Sequence, residues 1–192
     1  MKLKFFTILC ISFTFLACQS EKTTNDETAL AAMQKTSHEN FNALKNSDLG
    51  QIGEYFIGMQ ATDVLQKLGK PSSQSKTAVW PADNWTHQDW EYPEQGIRFN
   101  MIQENADTNF QIFSITISSP ATIKTKKQIG IGSTYEEVMQ AYQNEIDPAA
   151  SSAKLVVVGS LNGGLLIYSH NHQVSSLSSG TSTTEHLYLY SK

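Results

Sequence analysis

The chain contains two similar segments, and this repetition constrains its fold more than any other feature. "IGMQATDVLQKLG" begins at Ile57, and "IGSTYEEVMQAYQ" begins at Ile131, 74 residues later. At this offset the apolar positions coincide, so that Val64 aligns with Val138. The apolar positions recur at i, i+1 and i+4, which is typical of one face of a helix. Each segment therefore predicts a short amphipathic helix behind an Ile-Gly pair.

The two predicted helices differ in how they begin. In the second copy, Thr134 and Glu137 have the spacing of a capping box, and Ser133 is an alternative cap. In the first copy the equivalent residues are Gln60 and Asp63, which make a weaker cap. The sequence thus predicts the same helix twice, with a firmer start in the second copy.

Short β-rich runs follow each helix. The first helix is expected to end at Gly69, because Pro71 cannot continue it. Ile97, Phe99 and Met101 then alternate with polar residues, as in a half-buried antiparallel strand. The predicted strands are "KTAVW", "QDWEY", "GIRFNMI" and "FQIFSITI" in the first copy and "AKLVVV", "GGLLIYSH", "QVSSLSS" and "EHLYLY" in the second.

We therefore predict an α+β protein made of two tandem repeats, residues 37–118 and 119–192. Each repeat has one or two short helices followed by three or four antiparallel strands, with the helices on one face of the sheet. A single unit of about 75 residues would bury too little surface to be very stable alone. Two units that share a sheet would form a larger and more stable body. One continuous sheet and two packed sheets both remain open, and so does an accidental likeness.

The N-terminus predicts export. Lys2 and Lys4 precede an apolar run over residues 5–17, which is shorter than the roughly 20 residues that span a bilayer. Ala17 followed by Cys18 resembles the bacterial lipoprotein signal. That resemblance implies a signal peptide over 1–17 and a lipidated Cys18, whereas an ordinary signal peptide with an incidental cysteine is the alternative.

The mature chain, residues 18–192, would be acidic and free of internal disulfides. Removing residues 1–17 leaves 12 basic and 18 acidic residues, a net charge of −6, and no cysteine beyond Cys18. This charge argues against nucleic-acid binding by phosphate neutralisation. Residues 18–36 are polar and are expected to form a tether that can become helical at its far end. In the bacterial sorting rule, Gln19 favours the outer membrane.

The repeated segment resembles known envelope domains. "IGMQATDVLQKLGKP" is similar to the helix of the BamE/SmpA-OmlA lipoprotein domain, which precedes an antiparallel sheet. Two such copies, over residues 50–192, resemble the β-lactamase inhibitor protein (BLIP) fold. The resemblance implies an accessory role in outer-membrane assembly or the blocking of another protein. The chain departs from both families, because BamE has one copy and BLIP repeats contain disulfides.

Tyrosines and histidines on the last strands are the first candidate site. Their period-two spacing would place them on one face, away from the core. Such residues have an apolar body and a polar tip, which suits a partner-binding surface. A zinc site formed by histidines is the alternative, with an ordinary sheet surface as the simplest reading. The residues are Tyr168, His170, His172, His186, Tyr188 and Tyr190.

The stretch "WPADNWTHQDWEY" is the second candidate. Trp85 is expected at a loop tip, and Trp90 and Tyr92 share one face of a strand. An exposed tryptophan is a typical interface anchor, but these rings could equally cap the end of the sheet. The nearby acids Asp83, Asp89 and Glu91 do not stand out as a catalytic pair.

These features predict a non-catalytic lipoprotein of the cell envelope, anchored at the outer membrane, that binds an unknown envelope protein. The predicted partner site comprises Trp85, Trp90, Tyr92, Tyr168, His170, His172, Tyr188 and Tyr190. No cofactor, metal or nucleic acid is expected, since no P-loop, dinucleotide or nucleophile motif occurs. The alternatives are a small-ligand or metal-binding lipoprotein, or an inhibitor of an envelope or secreted hydrolase.

Overall fold

The computed structural model describes residues 21–180, with side chains from residue 26 onward. This part of the chain is α+β, as predicted, and its strand pairing is antiparallel. The helices are α1 (Glu21–Lys45), α2 (Ala61–Leu68) and α3 (Tyr135–Tyr142), with a 3-10 turn at Asp48–Gly50. The strands are β1 (Gln51–Ile52), β2 (Tyr55–Phe56), β3 (Ser73–Gln74), β4 (Ala78–Val79), β5 (Thr86–Tyr92), β6 (Ile97–Gln103), β7 (Gln111–Ser118), β8 (Leu155–Ser160), β9 (Gly163–His170) and β10 (Gln173–Gly180).

Two groups of three strands form most of one sheet. The order is β3-β5-β6-β7-β10-β9-β8, with β4 also paired to β5, while β1 and β2 form a separate small pair. The last strand of each group, β7 and β10, pair with each other at the centre. From each edge towards the centre, the strands thus follow their order in the chain. Within the described residues, the strands of the two groups form one continuous sheet and not two packed sheets.

Both short helices are joined to the sheet by the same backbone hydrogen bonds. Gly58 N donates to Ile112 O at 2.7 Å, and Gly132 N donates to Val174 O at 2.9 Å. In each case the strand residue returns a bond to the carbonyl of the residue after the glycine, at 2.9 and 2.8 Å. The two glycines have φ of 88° and 84°, a conformation that favours glycine. This requirement accounts for the matching Ile-Gly pairs.

The predicted helix caps are confirmed. Thr134 accepts a bond from the Glu137 N–H, and Glu137 accepts one from the Thr134 N–H, which completes the capping box. Gln60 caps α2 without a side-chain bond. Gly69 ends α2 with φ of 74°. Local sequence was sufficient here, because caps depend on residues within one turn.

The first helix is longer than the sequence predicted. We expected a polar tether over 18–36, but α1 begins at Glu21 and continues without a break to Lys45. The segment has no proline or glycine and is rich in alanine, glutamate and lysine, all compatible with a helix. The predicted boundary at residue 37 therefore falls inside a helix.

One face of the sheet, the core face, carries the main core. A single cross-strand row on this face is apolar from β5 to β8, and every member is 4% exposed or less. Val64 of α2 and Val138 of α3, both fully buried, belong to the same apolar cluster. The row comprises Tyr92, Ile97, Ile117, Leu177, Ile167 and Val156.

The opposite face, the second face, is polar over its middle strands. Its first row has charged residues at the β5 end, hydroxyls in the centre and apolar residues at the β8 end. The row comprises Glu91, Arg98, Thr116, Ser178, Leu166 and Val157. A neighbouring row on the same face comprises Ser118, Ser176, Tyr168 and Leu155.

Candidate functional site

The structure buries the tryptophan-rich segment that the sequence offered as an exposed site. Trp85, Trp90 and Tyr92 are 8%, 4% and 2% exposed, so the expectation that they present a partner-binding surface is wrong. Trp90 pairs with Phe99, and Tyr92 pairs with Ile97, which places both rings on the core face. Trp90 and Tyr92 do share one face of β5, as predicted, but this face points into the protein.

Trp85 closes one end of the sheet beneath α1. Its ring stacks on His38 of α1 at 4.2 Å between centroids and meets Phe41 edge-on at 5.3 Å. Phe113 of β7 lies edge-on to the same indole at 6.3 Å. Edge-to-face and stacked pairs of this kind add to the energy of burial. These contacts support the alternative given above, in which Trp85 caps the end of the sheet.

A buried chain of hydrogen bonds, which was not predicted from the sequence, lies next to this cluster. His87 Nε2 lies 2.9 Å from Asp83 Oδ2, and His87 Nδ1 lies 2.6 Å from Asn100 Oδ1. Asn100 Nδ2 donates to Asp89 Oδ1 at 2.8 Å, which orients the amide. Both ring nitrogens of His87 thus face side-chain oxygens. Trp80 stacks on that ring at 3.6 Å.

This chain joins an acid to a histidine, but it is poorly placed for catalysis. Asp83 is 0% exposed and His87 is 2% exposed, so a substrate could not reach either group in this conformation. Asp83 also accepts a bond from the Trp85 N–H, and its carbonyl oxygen lies 2.8 Å from His38 Nε2. These bonds tie the loop to α1, and their effect is structural.

The predicted histidine face is only partly formed. Tyr168 is half-buried in the second face, and His170 is the exposed last residue of β9. His172 does not continue the strand, because Asn171 and His172 have φ of 49° and 62° and form the two-residue turn to β10. The expectation that these histidines share one strand face is therefore wrong.

Several predicted residues lie outside the described residues: Cys18, His186, Tyr188 and Tyr190. Lipidation of Cys18 and the binding role of the last tyrosines stay predictions. Among residues 21–180, no three His, Cys, Asp or Glu side chains come together in a way that could hold a metal. The zinc alternative thus has no support from the part of the chain that the structure describes.

The second face leads into a small cavity that the sequence did not reveal. The cavity has a volume of about 220 Å³ and opens where β5, β6 and β7 lie side by side. Glu91 and Arg98 are the charged residues of its wall, and Arg98 Nε lies 3.9 Å from Glu91 Oε1. The remaining lining residues are Pro93, Gly96, Ile97, Thr116, Ser118 and Ser119.

The two charged groups differ from the other ion pairs on the surface. Arg98 is the only arginine in the 192 residues, and its side chain is 23% exposed. Burial raises the pKa of the Glu91 carboxyl; the Arg98 charge opposes this, and the Asp89 charge adds to it. The isolated arginine could have been noticed in the sequence, but its pairing with Glu91 could not.

Comparisons with known proteins add no relative. The chain matches no family model, no curated protein and no solved structure. Within residues 21–180, none of the helices combines the length and the apolar character needed to cross a membrane. The resemblance to BamE and BLIP remains a prediction drawn from the repeated motif.

Proposed function

We propose that this protein is an exported, lipid-anchored binding module of the bacterial envelope, which acts by contact and not by catalysis. The supporting observation is the second face, where the exposed Ser118 and the half-buried Tyr168, Glu91 and Arg98 lie around two buried hydroxyl residues, Thr116 and Ser176. Hydroxyl, tyrosine and arginine side chains side by side can bond to a partner while burying apolar area.

The partner surface that we propose is smaller than the one expected from the sequence. It retains Tyr168 and His170, and it adds Ser118, Glu91 and Arg98. Trp85, Trp90 and Tyr92 are left out because they are buried.

We also propose that the protein arose from two tandem copies, as in the BLIP fold that it resembles. Each copy would contribute one short helix and three strands of the sheet. Two matched sets of hydrogen bonds support this idea, those of Gly58 with Ile112 and of Gly132 with Val174. The strand order also supports this idea. Because β7 and β10 are antiparallel neighbours at the centre, an approximate two-fold axis between them relates β5–β7 to β8–β10.

The binding proposal can be tested by site-specific photo-crosslinking in the native envelope. A photoreactive phenylalanine analogue at Tyr168, and separately at Ser118, should capture the same protein. The analogue at Val79, which is 60% exposed at the edge of the sheet, is the matched control and should not capture it. Equal capture from all three positions, or none from Tyr168 and Ser118, would contradict a binding site on the second face.

The export proposal needs a separate test, because it depends on residues 1–18. Cells fed a labelled fatty acid should produce a labelled chain, and Cys18→Ser should lose the label. A labelled Cys18→Ser chain would place the lipid elsewhere. An unlabelled wild-type chain that is nevertheless exported would favour an ordinary signal peptide.

A further inference from the structure

Helix α1 has one apolar face, and the body of the protein covers only the C-terminal half of it. Leu30, Met33, Phe41 and Leu44 share this face at 3.6 residues per turn. Phe41 and Leu44 are 2% and 4% exposed, whereas Leu30 and Met33 are 40% and 54% exposed. Every residue from 26 to 33 is exposed. Leu30 and Met33 therefore form an open stripe that continues a buried one.

The uncovered half of α1 would be stabilised by another segment packed against it. Residues 26–33 supply none of the buried apolar side chains of the described core. Isolated helices of fewer than about 12–15 residues are only marginally stable in water, because most helical stability in proteins comes from packing of the apolar face. A segment that contacts the open stripe would remove apolar surface from water and hold this half of the helix in place.

The chain leaves the sheet next to this helix. Gly180, the last residue of β10, pairs with Ser114 of β7 and with Gly164 of β9. Phe113, the residue before Ser114, stacks on Phe41 of α1 at 5.8 Å between ring centroids. The chain after Gly180 therefore begins beside the covered half of α1.

The pairing of β10 with β7 cannot be extended beyond Gly180. Ala61 N donates to Phe110 O at 2.8 Å, and Ile112 bonds through both its N–H and its carbonyl to residues 58–59. These bonds occupy the edge of β7 that β10 would otherwise follow, since β6 lies along the other edge. The residues after Gly180 must therefore leave this edge of the sheet.

The next twelve residues carry apolar side chains that could cover the open stripe. Residues 181–192 read "TSTTEHLYLYSK", in which Leu187 and Leu189 alternate with Tyr188 and Tyr190. In an extended chain, alternate side chains point to opposite sides. The two leucines can therefore contact one surface together.

This segment is long enough to reach the open stripe. Leu187 is seven residues beyond Gly180, which is about 23 Å of extended chain. Met33 is eight residues from Phe41, which is about 12 Å along a helix. Because the chain leaves the sheet beside Phe41, the distance to the stripe is well within the length of the segment.

We propose that residues 181–192 dock on the open stripe of α1, with their two leucines packed on Leu30 and Met33. A segment tethered this closely has an effective concentration of the order of millimolar, which favours it over a second copy of α1 or another protein. The tyrosines of the segment would then face outwards. This inference does not depend on the proposed partner surface, which uses neither α1 nor residues 181–192.

Photo-crosslinking within one chain tests the contact. A photoreactive phenylalanine analogue in place of Met33 in the full chain should crosslink to a peptide from residues 181–192, and the product should migrate as a single chain on a denaturing gel. Ala32 is the matched control, because it is also exposed and lies on the opposite side of the helix. The analogue at Ala32 should lose this product. Equal yields from both positions, or capture of a second copy or another protein by Met33, would overturn the proposal.

Hydrogen exchange then tests whether the contact holds the helix. The double variant Leu187→Ser, Leu189→Ser should speed amide exchange in residues 26–33 by about tenfold or more. The double variant Tyr188→Ser, Tyr190→Ser is the matched control and should leave that exchange unchanged. Exchange in β6 reports on the rest of the fold and should be the same in both. Unchanged exchange in residues 26–33 after loss of the two leucines would also overturn the proposal.

Discussion

The two halves of the central sheet share a backbone pattern but differ in the side chains attached to it. β5–β7 and β8–β10 meet at the centre in mirrored order, and the same hydrogen bonds attach a short helix to each half. The first half carries the aromatic cluster around Trp85, the buried His87 chain and the charged cavity. The second half consists mainly of valine, leucine, serine and glycine.

The two halves are alike where the backbone needs a particular geometry, and they differ where side chains contact other elements. The helix starts of both halves are constrained by backbone geometry and therefore look alike in sequence. The aromatic and charged groups of the first half depend on α1 and on β3 and β4, which have no counterpart among the described residues of the second half. The two halves should therefore respond differently to substitution.

The largest effect is expected at the aromatic cluster, which only the first half has. Trp85→Ala should lower the free energy of unfolding by about 3–5 kcal/mol, because it removes a buried indole and leaves a cavity under α1. Denaturant unfolding followed by circular dichroism measures this loss. Val79→Ala, at an exposed position nearby in the chain, should change stability by less than about 0.5 kcal/mol. Equal effects of the two variants would mean that α1 is not packed on Trp85.

A second, smaller effect tests whether the two short helices are equivalent. Val64→Ala and Val138→Ala remove the same atoms from fully buried positions in α2 and α3. Each should cost about 2 kcal/mol, from lost apolar burial and the space left behind. Parallel urea titrations of the two variants give the comparison directly. A cost confined to one variant would show that the halves carry unequal shares of the core.

Exchange of the helix caps should produce changes of about 1 kcal/mol. Thr134→Ala breaks the capping box of α3 and should destabilise the protein by about that amount. Gln60→Ala should be nearly neutral, because Gln60 makes no side-chain cap bond. Gln60→Thr should stabilise α2 by supplying the missing acceptor. Thermal melts of the three variants would contradict this account if Gln60→Ala cost as much as Thr134→Ala.

The smallest effect at neutral pH concerns Tyr92, whose hydroxyl donates to Gly69 O at 3.0 Å. Tyr92→Phe should cost about 0.5–1.5 kcal/mol there. Burial, with a smaller effect of Tyr55, raises the pKa of Tyr92 to about 12. The unfolded chain therefore loses this proton first, near pH 10, and the contribution to stability is complete below pH 10 and falls as pH rises towards 12.

Alkaline unfolding gives the corresponding measurement. The stability of Tyr92→Phe should decline less steeply than that of the wild type between about pH 10 and 12. A residual decline is expected from Tyr142 in the second half, since burial raises its pKa as well. Identical pH profiles for wild type and Tyr92→Phe would mean that Tyr92 titrates normally in the folded protein.

Elements that depend on neighbouring residues could be predicted from the sequence alone. The helix after each Ile-Gly pair, the capping box at Thr134 and the end of α2 at Gly69 all appear as predicted. The half-buried alternation expected of β6 does not, because Asn100 is 3% exposed and so is buried like Phe99 and Met101. The confirmed features rest on interactions within a turn or on strict periodicity, which a single sequence displays. The reach of α1 back to Glu21 and the turn at His172 were missed, because weak propensities gave no clear boundary.

Which side chains meet in the folded protein depends on the packing of distant segments. Whether the apolar face of β5 points outwards or into a core depends on the strands and helices placed around it, so the exposure of Trp90 could not be known beforehand. The bonds between Asp83, His87 and Asn100, and the meeting of Glu91 with Arg98, depend on the register between strands. Register depends on the geometry of the turns and on which face of each strand is buried, and the second of these is decided only when the sheet and the helices are assembled.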